Sequence, residues 1–278
     1  MIENIDNLVK ALGNNSSRIV LDKASIASQT ANSYCSLWRA TGQPGQGAIP
    51  TVVGTCNNTT VGTIGFNQQT SPITSYGAYL EIATGNAAMT MELHDRLANM
   101  GGLNGTLTTA QSVNLDLNTL LATNNIDTRK GDANYSDVQW WLEWYTATGA
   151  TAVTATIAVT YNDGTTGNLS ALSLAGTRPA AHMIPLNSLI PSAQSGKFIR
   201  WIVSVTLSAT SGTAGNFGVT ATRPRMTLSA PIANHKFIAD WAQLGLPEIY
   251  NSSAIFPIVL TSTTSTGTVR GGGKIAHG

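Results

Sequence analysis

The chain has 278 residues, a formal net charge of +1, and only 10% Asp, Glu, Lys and Arg, against roughly 25% in an ordinary soluble domain. That length buries a sizeable core without help from metals or disulfides. Lys and Arg never cluster, which argues against a phosphate-tracking surface and hence against nucleic acid as a partner.

Thr makes up roughly one residue in eight, well above ordinary usage. It is β-branched and suits the wet face of a strand. A nearly uncharged exterior repels its neighbours weakly, a liability in free solution and no penalty in a packed assembly. Cys35 and Cys56 are too few for a disulfide framework and are expected as free thiols from a reducing cytoplasm. Glu3, Asp6 and Lys10 interrupt the first 17 residues, so no signal peptide is expected there. Ala254–Leu260 is too short to span a bilayer, and no membrane contact is expected.

In chain order, Ile2, Ile5, Leu8, Val9 and Leu12 share one helical face, and Gly13-Asn14-Asn15 ends that helix. Ile19–Ile26 reads as an extended arm, and Gln43–Gly47 as a loop. Met89, Met91, Leu93 and Leu97 then alternate with Thr90, Glu92, His94 and Arg96, the period of a half-buried strand. Val138–Tyr145 is the clearest strand. Val138, Trp140, Leu142 and Trp144 form one face, and Gln139, Trp141, Glu143 and Tyr145 the other. Val153–Tyr161 is its expected partner, closed by the turn residues Asn162-Asp163-Gly164.

Ile199–Leu207 alternates again, and a turn-rich stretch leads to Phe217 and Val219. His235–Leu244 reads as a helix capped by Asn234 and ended by Gly245. Ile255–Leu260 reads as a buried strand, Thr261–Gly273 as a flexible segment, and Val269–Ala276 as a glycine-broken last strand. The expected class is all-β: a jelly-roll-like antiparallel β-sandwich with a short N-terminal helix or arm. Residues 1–40 would form the helix and arm, and 41–278 the sandwich, with a sub-boundary near 128–137.

Chemistry is sparse. No Gly-x-Ser-x-Gly elbow and no phosphate-binding loop occur in the sequence. His94, His182, His235 and His277 are too widely spaced for a local zinc motif, so neither a metal nor a cofactor is expected. His94-Asp95-Arg96 is the most charged cluster. Adjacent strand residues face opposite ways, so it reads as a strand end with one ion pair and a solvated His rather than an acid/base pair. Trp140 and Trp144 read as core. Trp141, beside Tyr145, reads as the candidate exposed platform, for a glycan or for a subunit contact.

Several stretches resemble a family of tailed-bacteriophage virion proteins described as structural. They are Ser36–Gly45, Asp95-Arg96-Leu97 with Gly101-Gly102-Leu103 and Thr108–Gln111, Val205–Leu207 with Gly212–Val219, Asp240-Trp241 with Leu244–Pro247, and Lys274–Gly278. The resemblance implies a particle role in capsid decoration, neck or tail. The expected partners are further copies of the chain and other virion proteins: major capsid, portal, neck or tail. The expected location is the virion, assembled in the host cytoplasm. The resemblance implies no catalytic residue. The alternative reading is a glycan- or receptor-binding module on the same particle, with Trp141 and Tyr145 as its platform.

Overall fold

The computed structural model describes residues 2–278. The main strands are β1 Ser16–Lys23, β2 Ser33–Ser36, β3 Ser75–Thr84, β4 Met89–Leu103, β5 Gln111–Asp116, β6 Gln139–Thr146 and β7 Val153–Tyr161. They continue with β8 Thr166–Asn168, β9 Leu172–Leu174, β10 His182–Pro185, β11 Ile199–Leu207, β12 Asn216–Ala230, β13 Lys236–Asp240, β14 Ile255–Thr261 and β15 Val269–His277. The α-helices are α1 Ile5–Asn14, α2 Leu117–Thr123 and α3 Trp241–Leu244. The protein is all-β and antiparallel with a short N-terminal helix, as the alternation predicts.

The chain forms two compact units. The first holds residues 1–48, 57–95 and 224–278, and the second holds 49–56 and 96–223. The expected divisions at 40/41 and near 128–137 are therefore not where the units part. Residues 1–40 belong to the first unit, and 128–137 lies inside the second. Of Ile19–Ile26, expected as an arm, Ile19–Lys23 lies in strand Ser16–Lys23, which pairs along its whole length with β15, from Ser16 opposite Ala276 to Lys23 opposite Val269. Its alternating burial explains the pairing: Ile19 and Leu21 point into a core while Arg18, Val20 and Asp22 face out.

In the first unit one sheet runs β1-β15-β3-β13 and the other β2-β14-β4-β12. Lettered B to I in chain order, these strands have the orders B-I-D-G and C-H-E-F, the jelly-roll arrangement of two Greek keys. Ile19, Leu80 and Ile275 from one sheet meet Met91, Leu93 and Val259 from the other in a single core. Helix α1, capped by Asn4 accepting from the Asn7 N–H, lays Leu8 and Ala11 on Ala78 and Ala276. Gly271 and Gly273 break the last strand's pattern for a steric reason. A Cβ there would lie 2.0 Å from the Glu81 carbonyl oxygen and 2.3 Å from that of Tyr79.

The second unit repeats the plan. One sheet runs β4-β12-β6-β10, and the other runs β5-β11-β7 with β8 and β9 on the far edge of β7. This is again B-I-D-G on C-H-E-F. Trp140, Leu142, Phe217 and Val219 pack against Val113, Ile157, Ile202 and Val205. Residues 96–223 are thus inserted between the fourth and fifth strands of the first jelly roll, and β4 and β12 belong to both units.

Sharing has a consequence for side-chain direction. In β4 the odd positions Met91, Leu93, Leu97 and Leu103 serve both cores. In β12 the core positions are Phe217, Val219 and Ala221 in the second unit but Met226 and Ala230 in the first. The core-facing parity changes between residues 221 and 226. Pro224, which has no N–H for a ladder, sits in that interval.

His235–Leu244, expected as a single helix, is strand β13 followed by α3. Pairing with β3 overrides the helical spacing, and Asp240 rather than Asn234 caps the helix by accepting from Ala242 and Gln243. Gly245 ends it with φ 72°. Replacing Leu80, fully buried in the first core, by Ala is expected to lower the unfolding free energy by about 2–5 kcal/mol, read as a lower denaturant midpoint.

Candidate functional site

Strand β6, Gln139–Thr146, is where the aromatic and charged residues concentrate. Its core face behaves as the alternation predicts. Trp140 Nε1 donates to the Ile199 carbonyl at 2.8 Å, and Trp144 lies 5.4 Å from Phe217 in a stacked pair. The other face is also buried. Trp141 is 2% exposed and Tyr145 4%. A stacking platform needs an open ring face, so neither residue offers a glycan or a free partner a surface. Trp141 Nε1 instead donates to Thr222 Oγ1 at 2.8 Å.

Between these rings Glu143 Oε2 accepts from Arg96 Nη2 at 2.7 Å, from Thr220 Oγ1 at 2.5 Å and from the Tyr145 hydroxyl at 3.1 Å. Arg96 Nη2 also lies 3.0 Å from the Tyr145 hydroxyl oxygen and 3.1 Å from Thr220 Oγ1. Arg129 donates to the carbonyls of Cys56 and Arg96 at 2.7 and 3.1 Å. Strands β4, β6 and β12 of the second jelly roll thus meet in one buried polar knot. Burial alone would lower the affinity of Arg96 for its proton, but Glu143, with Tyr145 and Cys56, more than offsets this and holds it above its ordinary value. Burial and then the Glu143 charge raise the Tyr145 hydroxyl. The ion pair and its hydroxyl partners are fully enclosed among these strands.

The His94-Asp95-Arg96 triplet splits as adjacent strand residues must. His94 Nε2 meets Glu92 Oε2 at 2.7 Å, while Asp95 accepts from Ser253 Oγ and the Ala254 N–H at 2.8 and 2.7 Å. His94 is buried, not solvated as its sequence context suggests. His277 sits between Ser17 Oγ and Ser75 Oγ, each 2.8 Å away. His182 has Arg178 Nη1 at 3.5 Å from its Nε2 and the Trp144 ring 5.7 Å away. Burial holds all three below their ordinary value, with His182, helped by Arg178, at about 4.

Lys23 is a residue that the sequence gives no reason to single out. It is fully buried and donates to the carbonyls of Ala40, Pro44 and Gly45 at 3.0, 2.6 and 3.4 Å, and burial lowers it to about 8. Among the described residues no three His, Cys, Asp or Glu side chains gather to hold a metal ion. Both cysteines are free and buried. No helix of the described residues is long and apolar enough to cross a membrane. Large apolar side chains do stand in the open, among them Ile5 and Val9 on α1 and Ile232, Ile238 and Trp241 around β13.

Two outcomes follow from these contacts. Arg96→Met alone strands Glu143 in the interior and is expected to cost about 3–5 kcal/mol, while Arg96→Met with Glu143→Leu is expected to recover much of it, measured by chemical denaturation. The three histidines bind protons more readily when unfolded. Stability is therefore full above their ordinary value of 6.5 and is expected to fall as pH drops toward 4, the folded value of His182. His182→Phe should flatten that acid slope in a series of melts from pH 7 to 4.5.

No protein-family model matches the chain, and no curated protein sequence matches it. Solved structures that it is similar to come from infectious bursal disease virus. The Gt strain structure is 11% identical, with 94% of this chain and 80% of that one covered, at a TM-score of 0.19. The VP2 subviral particle gives the same identity, coverage and TM-score, and the T=1 particles give 11%, 94% and 76% at 0.18. The jelly-roll assignment above rests on strand order alone.

Proposed function

We propose that this chain is a structural component of a bacteriophage virion, packed in multiple copies on the capsid or neck and stabilising the particle by surface burial rather than by chemistry. Jelly rolls serve capsids, lectins and cupins alike, so the fold does not choose among them. The observation that carries the reading is the surface. Only 10% of residues are charged, and some of those charges, such as Lys23, Arg96 and Glu143, lie inside. What remains outside is rich in hydroxyls and dotted with exposed Ile, Val, Leu and Trp. Such an exterior suits cover by other subunits, because interface cores are depleted in charge and enriched in aromatic residues. The phage virion stretches quoted from the sequence point the same way. Many copies on one particle add avidity to contacts that are individually weak.

Purified particles are expected to contain the chain in a fixed copy number, by quantitative mass spectrometry against the major capsid protein. Its presence in infected-cell lysate with none in particles overturns the proposal.

A further inference from the structure

We propose that strand β13, Lys236–Asp240, is a docking edge for a second copy of this chain, joined across a two-fold axis at Ile238 by antiparallel strand pairing. The inference takes from the preceding section only that copies of the chain meet. It does not need the particle.

β13 ends its sheet, with β3 on one side and no strand on the other. At Asp240 the N–H lies 3.2 Å from Gln243 Oε1 and the carbonyl opens α3 as its N-cap, so the backbone groups left for a further strand are those of Lys236 and Ile238, with Asp240 contributing its side chain. An open edge is a template for a further strand, and proteins commonly blunt such edges with charge. Here the two charges have opposite sign and stand at opposite ends.

That arrangement is self-complementary in one register only. Antiparallel pairing about Ile238 sets Lys236 opposite Asp240 of the second copy, Phe237 opposite Ala239, and Ile238 opposite Ile238. Parallel pairing would set Lys beside Lys and Asp beside Asp. A one-residue slip would turn the outer face inward. The faces also agree. Lys236, Ile238 and Asp240 are exposed, whereas Ala239 is buried and Phe237 packs on the core, so both faces of the joined sheet stay consistent.

Both charges have capacity left for a partner. Lys236 Nζ meets Glu81 at 2.6 Å while its side chain remains 56% exposed. Asp240 uses Oδ1 to cap α3, leaving Oδ2 for the second copy.

The surrounding surface is apolar. Ile232 is 53% exposed, Ile238 50% and Trp241 38%. Continued past the strand, the same register carries Ile232 of one copy toward Trp241–Leu244 of the other. Trp241 also lines an apolar groove of ≈ 320 Å³ with Leu12, Ala78 and Tyr79. Five residues of strand alone fall short of the roughly 1,200 Å² that a stable interface buries, so the proposed contact draws on these exposed side chains as well.

The test is sedimentation equilibrium of the full chain over a wide concentration range. Wild type is expected to dimerise reversibly. Lys236→Glu alone and Asp240→Lys alone are each expected to weaken association at least tenfold. An equimolar mixture of the two should form a one-to-one heterodimer, because one edge then carries two acids and the other two bases. That rescue separates a lost contact from a damaged fold, which matters because Asp240→Lys also removes the α3 cap. Ile238→Cys should cross-link to itself under mild oxidation while Phe237→Cys does not, Cys35 and Cys56 being buried. A wild-type monomer at every concentration overturns the inference, as does a dimer indifferent to both reversals or a mixture that fails to associate. A monomer in solution that still appears at fixed copy number in particles overturns this contact and leaves the particle role standing.

Discussion

Strand β12 has to turn its side chains into two different cores, and its core-facing positions change parity between Ala221 and Met226. Side chains alternate across a strand, so a strand that serves two cores must present an inward side to each. β4 gives Met91 and Leu93 to the first core and Leu97, Ala98 and Leu103 to the second, while β12 uses 217, 219 and 221 and then 226 and 230. Pro224, least able to join a ladder, stands where the parity of β12 changes. An insertion between the fourth and fifth strands of a sandwich requires both flanking strands to leave one core and enter another. Met226 and Ala230 share the first core with Met91 and Leu93, and part of that jelly roll's filling depends on the change of parity in β12.

The low charge of the chain has a structural counterpart. Burying an ion is costly unless its hydrogen-bonding capacity is met. Arg96 is met by a carboxylate and two hydroxyl oxygens on neighbouring strands, Arg129 by the carbonyls of Cys56 and Arg96, and Lys23 by the loop carbonyls of Ala40, Pro44 and Gly45. Arg96 ties strand to strand, while Arg129 and Lys23 tie irregular chain to strands. Charges used in this way are charges withheld from the surface.

Much of this was legible in the residues. The alternation at Met89–Leu97, Val138–Tyr145, Val153–Tyr161 and Ile199–Leu207 found strands that the structure contains. Trp141 was misplaced because alternation reports only that one face of a strand differs from the other. It cannot say that the polar-looking face is buried too, and Glu143 with Tyr145 disguised an interior as an exterior. Lys236–Asp240 failed for a different reason. Five residues carry too little period to outvote a neighbouring cap signal, and the pairing with β3 that decides the matter joins residues about 150 apart in sequence. Strand order was out of reach for the same cause. β1 pairs with β15 across most of the chain, and nothing local to Ser16–Lys23 names that partner. The polar knot needed Arg96, Glu143 and Thr220 to converge, which is again a fact of topology.

Topology also bears on how such a surface achieves specificity. A crowded, mixed-charge exterior orients partners through many weak pairs. This chain has few charges, so each exposed one has few competitors, and its position along a strand or helix carries more of the orienting work. Apolar side chains supply area without direction. Direction must then come from backbone edges, which pair only in register, and from isolated charges at their ends. In each unit the interior is filled by side chains of its own two sheets, and the polar groups gathered around Glu143 and His277 are enclosed with them.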